Sequence, residues 1–181
     1  MKNHKKILWI TETAIMLALL ITLQWSTAST QAFAGQYITG SCVNAVLAIT
    51  VLLLGLWSGF VVAVLSPVFA FLLNIGPKFV QVVPCICIGN LVLVLLLHFL
   101  VRYRKPAWTW VVGLVIAAAA KAAVLYTAVN LIVVPMMGSN LPPKVAQSFS
   151  VMFSWPQLFT ALIGGSVALA IWPLIKKALK R

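Results

Sequence analysis

Lys121 is the residue whose chemistry its surroundings least explain. It sits inside AAAAKAAVLYTAVN, in the middle of an apolar stretch over 107–135. Fourteen residues separate it from each end of that stretch. That is about 21 Å of helix on either side, too far for the ammonium to snorkel to water. An ionisable side chain at such depth costs roughly 2.5 to 3.5 kcal/mol on insertion scales and marks a functional site by default. The chemistry it offers is a charge-assisted hydrogen bond to an anionic or polar solute. The competing reading is a structural lysine that bonds carbonyls, or that reaches the interface of a displaced helix.

The other polar groups that could share such a site are few. Asn44 heads a stripe of small residues with Ser41, Ala45, Ala48 and Gly55. Lys78 and Gln81 share a second stripe with Cys85 and Gly89 below them, arranged like the wall of a cavity. Tyr37 and Trp155 offer rings for stacking, and Gln157 follows Ser154 and Trp155 at the start of the last apolar run. Asn90 lies about 120° round the helix from Lys78 and is expected to bond a neighbouring helix.

Catalysis is poorly served. Glu12 is the only acidic residue of the 181, so neither a carboxylate pair for acid/base work nor a histidine–carboxylate metal site can be assembled. Cys42, Cys85 and Cys87 lack metal-ligand spacing and read as small apolar membrane residues. GLWSG has the wrong spacing for the nucleophile segment of a rhomboid-like protease. The chain is read as a non-enzyme with no cofactor and no metal.

The elements that must hold these groups follow from composition. Hydrophobic residues make up 63% of the chain and charged ones 8%, with a mean hydropathy of +1.10. This is the composition of an integral membrane protein, with room for six spanning helices and none for a soluble ATPase domain. The expectation is a single all-α domain over 1–181, an integral membrane bundle of six transmembrane helices. They are placed over 7–25, 41–56, 59–75, 78–101, 107–135 and 152–176.

A net charge of +12 would suggest nucleic acid in a soluble protein. Here the basic residues gather at helix ends, and membrane orientation explains them better. Lys2, Lys5 and Lys6, then Arg102, Arg104 and Lys105, then Lys176, Lys177, Lys180 and Arg181 are separated by even numbers of spans. All three clusters and both termini are therefore expected to be cytoplasmic, in the cell membrane. The segment 26–40 reads as a long polar outer loop suited to act as a lid, and 138–150 as a second outer connection without helical period. Pro67 and Pro84 are expected to kink their helices, and Pro135 to end or bend its own. Ala119, Ala123, Tyr126 and Asn130 share the side of their helix away from Lys121 and are assigned to packing.

At this length and layout the chain resembles the substrate-binding S components of energy-coupling factor vitamin transporters. The resemblance rests on the six-helix arrangement, on a basic N-terminus leading to Ala14-x-x-x-Ala18, on the long connection after the first helix, and on QYITGSCVNAVLAITVLLLGLWSGFVVAVLSPVFAFLLNIGP. It covers nearly all of the chain. It implies a membrane subunit that takes a vitamin or precursor from outside and associates with a transmembrane coupling protein and two ATPase subunits. It also implies that Ala14 and Ala18 face the coupling protein. Family members that carry divalent metals use a Met-His N-terminus, whereas this chain begins Met-Lys-Asn-His. A cationic substrate would want a carboxylate in the outer half, and the sequence has none there. Lys78, Lys121 and Lys144 favour an anionic or neutral ligand. The alternative, from another class, is a non-transporting helical accessory protein whose small-residue stripes only pack against partners.

The charge clusters make a direct prediction about topology. Cysteines placed at Ser139 and at Arg104, in a background without the native three, should be labelled from outside only at 139. Labelling at 104 from outside would reverse or refute the six-span orientation.

Overall fold

The computed structural model describes residues 2–28, 33–75, 79–103, 106–138 and 141–179. Among them all regular structure is helical. The helices are α1 (Lys2–Ala28), α2 (Phe33–Leu53), α3 (Leu56–Leu72), α4 (Val82–Leu100) and α5 (Trp108–Tyr126). A π-helical segment, Thr127–Val133, carries α5 into α6 (Val134–Met137), and α7 (Pro143–Met152) and α8 (Trp155–Ala178) follow. Five stretches are long and apolar enough to cross a membrane, and α3, at 17 residues, is a shorter apolar helix. The all-helical expectation holds.

α2 is the central helix and touches α1, α3, α4 and α8, while α5 lies between α4 and α8. α1 sits at the edge against α2 and α3. Branched aliphatic side chains such as Ile15, Val64, Val115, Ile163 and Val167 point outward, where hydrocarbon solvates them as well as a core would. The start of α1 and the end of α8 share one end of the bundle with the α2–α3 turn. There Arg102 donates to the carbonyls of Val51 and, at 3.4 Å, of Leu53. These are carbonyls of the last turn of α2, where a cation is favoured; that of Val51 also accepts from the Gly55 N–H at 3.1 Å. Gly55, at φ +104°, makes the turn beneath that guanidinium.

Small residues set how closely the helices approach. Ala48, Ala63, Ser66, Ala70, Ala161, Gly164, Gly165 and Ala168 are buried. A Cβ on Gly164 would collide with the carbonyl oxygen of Ser41 and lie 2.7 Å from the Ala45 nitrogen. One on Gly165 would meet only the tip of the Leu114 side chain.

Apolar packing falls into two clusters. The larger, toward the termini, includes Leu47, Val51, Val62, Leu93, Val94, Leu97, Leu114, Ala117 and Trp172. The smaller, toward the opposite end, includes Val82, Cys85, Leu125, Val129, Val133, Phe149 and Phe153.

Several expectations are corrected. The polar segment 26–40 is not a long loop, since α1 continues to Ala28 and α2 begins at Phe33, leaving only 29–32 outside the described residues. Its hydroxyls sustain the helix: Ser26 donates to the Thr22 carbonyl at 2.8 Å and Thr27 to that of Leu23 at 2.7 Å. Thr39 then bonds Thr27 across the two helices at 2.8 Å. The segment 138–150 contains a helix, α7, opened by Pro143 in its first turn, where a missing N–H costs nothing. Phe149 anchors α7, its ring 5.4 Å from that of Phe79.

The connection between α2 and α3 is confined to Leu54 and Gly55, because α3 begins at Leu56. Pro84 is the third residue of α4 and so starts that helix rather than kinking it. Pro135 does not end its helix, which reaches Met137 by passing through the π-helical segment. Finally, Ala119, Ala123 and Tyr126 are exposed and do not pack, and Asn130 is half-buried. Packing uses the Lys121 side of α5, through Ala117, Ala118 and Leu125.

The two glycines of α8 should therefore differ. Gly164→Ala presses on backbone that cannot move aside and should cost about 1 to 3 kcal/mol, the range for overpacking. Gly165→Ala can be absorbed by a Leu114 rotamer and should cost less. Thermal unfolding in detergent should show the larger drop for Gly164→Ala.

Candidate functional site

Lys121 is 3% exposed and lies between the two apolar clusters, one turn from Ala117 in one direction and from Leu125 in the other. Its Nζ donates to Asn44 Oδ1 at 2.5 Å and to Asn90 Oδ1 at 2.8 Å. Both asparagines are 1% exposed. An ammonium has donors only, so each asparagine must present its oxygen and keep its NH₂ for another acceptor. Asn44 Nδ2 donates to Thr160 Oγ1 at 3.3 Å, and Asn90 Nδ2 lies 3.5 Å from the Ala63 carbonyl oxygen. Residues from α2, α3, α4, α5 and α8 thus meet at one polar layer.

The sequence explains why that layer can form. Gly164 brings α8 onto α2 beside Asn44, and Gly40 on α2 faces Thr160. Pro67 removes the N–H that would otherwise bond the Ala63 carbonyl within α3, and Asn90 reaches the oxygen so released. Among the described residues no carboxylate joins the layer; the ammonium is met by two neutral amides.

A second polar group lies at the end away from the termini. Gln36 Nε2 and Gln157 Nε2 both donate to the Met152 carbonyl, each at 3.0 Å, and so fasten α2 to the joint between α7 and α8. The rings of Tyr37 and Trp155 stand 6.1 Å apart at an interplanar angle of 42°. Thr160 Oγ1 donates to the Gln157 carbonyl at 3.2 Å, which links this end to the lysine layer.

The candidate residues therefore divide into sets. Lys121 and Asn44 are in direct contact, and Tyr37, Trp155 and Gln157 form the distal set joined to them through Thr160. Gln81 is exposed at the start of α4, and its side chain bonds to no described residue of either set. Cys85 and Gly89, below it, are packed, with Gly89 against Leu125. Lys78 lies outside the described residues. Ala14 and Ala18 are exposed on α1. Asn90 bonds neighbouring helices as expected, but its place beside Lys121 was not foreseen. Thr160 and Gln36 were not singled out at all. The signal for Thr160 was available: it is three residues after Gln157 and four before Gly164, on the same small-residue face.

Fold and site together define a helical, membrane-type protein with a buried polar centre built around Lys121. The family model for the ECF transporter substrate-specific component matches residues 9–176, and the chain belongs to that family. Neither a curated protein nor a solved structure matches it.

The layer predicts a conditional effect. Asn90→Ala leaves the ammonium with one acceptor and should destabilise the protein by at least about 1 to 3 kcal/mol, the cost of an unmet buried group. In a Lys121→Met background that cost should shrink. Unfolding midpoints of the four proteins would show the difference, and equal costs in both backgrounds would mean the bond contributes nothing.

Proposed function

We propose that this subunit captures a small anionic or neutral solute, a vitamin or precursor, from outside the cell, with Lys121 as its central polar contact. The observation that carries this reading is the ammonium held at the bundle centre by amide oxygens alone. The two amides take up two of its three N–H groups and leave its charge uncompensated, so an incoming anion is attracted more strongly there than it would be in water. Asn44 and Asn90 orient the ammonium, and Gln157, Tyr37 and Trp155 surround the distal approach. The basic clusters support termini in the cytoplasm and an approach from outside.

Family membership supports delivery to a transmembrane coupling protein served by two ATPase subunits. In this reading Ala14 and Ala18 form the docking strip. They lie on the helix that supplies nothing to the lysine layer, and their exposure leaves room for a partner helix to come close.

One paired experiment separates capture from coupling. Full-length protein is purified in mild detergent and its copurifying small molecule is quantified by native mass spectrometry, while uptake is measured in cells that express the whole transporter. Lys121→Met should weaken binding by about ten- to more than a hundredfold, the equivalent of one charge-assisted hydrogen bond. Ala18→Trp should leave occupancy within a fewfold and lower both uptake and recovery of the ATPases. Normal occupancy in Lys121→Met would return that residue to a structural role. Partner recovery without any small molecule, in the wild type, would favour an accessory protein.

A further inference from the structure

Ser66 is 0% exposed, and its Oγ has no hydrogen-bond partner. Several other helix hydroxyls, by contrast, are bonded. The hydroxyls of Thr13, Thr22, Ser26, Thr27 and Thr50 each donate to the carbonyl one turn back in their own helix. Ser66 lies on the same buried face of α3 as Ala63, three residues or about 4.5 Å further from the terminal end. It immediately precedes Pro67, whose missing N–H releases the Ala63 carbonyl toward Asn90. The serine therefore sits next to the point where α3 joins the lysine layer.

Lys121 also has capacity to spare. An ammonium carries three N–H donors, and two are used, on Asn44 and Asn90. Asn90 is the shared neighbour: its amide oxygen meets Lys121 and its amide nitrogen faces the turn of α3 that carries Ser66. Lys121 thus bonds Asn90 directly, and the unpartnered Ser66 lies on the turn of α3 that the same asparagine meets at Ala63.

We infer that Ser66 and Lys121 form a two-point subsite for a carboxylate. One carboxylate oxygen accepts from the third N–H of Lys121 and the other from the Ser66 hydroxyl. A planar monoanion with two acceptor atoms matches one positive charge and two separated donors. A phosphate dianion would bring more charge and more acceptors than this layer can meet. The inference rests on the functional reading above and narrows its ligand from an anionic or neutral solute to a carboxylic acid. It also moves the deep contact to α3, which no sequence stripe had nominated for binding.

The aspartate side chain can serve as the probe. In Ser66→Asp a carboxylate is supplied from α3 itself and should pair with Lys121. Thermal unfolding of the full chain in detergent is compared for the wild type, Ser66→Asp, Lys121→Met and the double variant. The loss caused by Ser66→Asp should be larger in the Lys121→Met background by roughly 3 to 10 °C, the shift given by one charge-assisted hydrogen bond in a chain of this size. Equal losses in both backgrounds, or a Ser66→Asp protein that does not fold while Lys121 is present, would overturn the subsite. Ser66→Ala removes only an unpartnered hydroxyl and should unfold close to the wild type; a large drop would show that the hydroxyl is already bonded and would also overturn it. Loss of the copurifying molecule in Lys121→Met, without coupling to Ser66→Asp, would reject the subsite and leave the functional reading intact.

Discussion

The bundle is arranged around an ammonium that has no counter-ion. A charge taken from water into hydrocarbon must be met by something, and this chain brings two amide oxygens to it within 2.5 and 2.8 Å. Much of the helix packing serves that meeting. The glycines of α8 and α2 allow the approach that puts Asn44 beside Thr160. Pro67 opens a carbonyl for the far side of Asn90. The apolar clusters lie on either side of the polar layer. Each charge-assisted bond contributes about 1.5 to 3 kcal/mol, which is comparable with the roughly 2.5 to 3.5 kcal/mol cost of placing a lysine at that depth. Two such bonds suffice to hold the ammonium in place without a carboxylate.

Lys121 was legible in the sequence because a lysine inside an alanine run contradicts everything around it. Its partners were harder to find. Asn44 and Asn90 have only their spacing along separate helices to recommend them, and the contact between those helices depends on a crossing that no local pattern states. Asn90 was seen as a bonding residue but placed relative to Lys78, at the end of its helix, and not relative to Lys121. The face of α5 opposite the lysine was also misjudged, because alanines, a tyrosine and an asparagine look like a packing stripe. In a bilayer such residues can equally face lipid, which lowers the value of polarity as a guide to which side is buried.

Helix ends were misread for a different reason. Serine, threonine and glutamine in 26–40 suggested a loop, as they would in a soluble protein. In this chain the hydroxyls bond back to carbonyls of their own helix, so polar composition coexists with unbroken helix through Ala28 and from Phe33 onward. Proline gave the same lesson in reverse. Pro84 and Pro143 start helices, and the neighbourhood of Pro135 shifts to π-helical bonding, whereas Pro67 sits where its missing donor has a structural consequence for the site.

The choice of amides over a carboxylate bears on what such a centre can do. A carboxylate beside Lys121 would cancel its charge, and a second anion would then have to displace a strong internal pair before it could bind. Asparagine holds the ammonium in position at less cost to an incoming anion, since amide oxygens offer hydrogen bonding without net charge. The lysine layer draws on α2, α3, α4, α5 and α8, whereas α1 contributes none of its members. The helix with the exposed alanine strip is thus free to change its contacts without breaking a bond at the centre. Under the function proposed above, a subunit that holds its solute while engaging and leaving a partner needs that separation, which would follow from which helix carries the lysine and which carries the small residues.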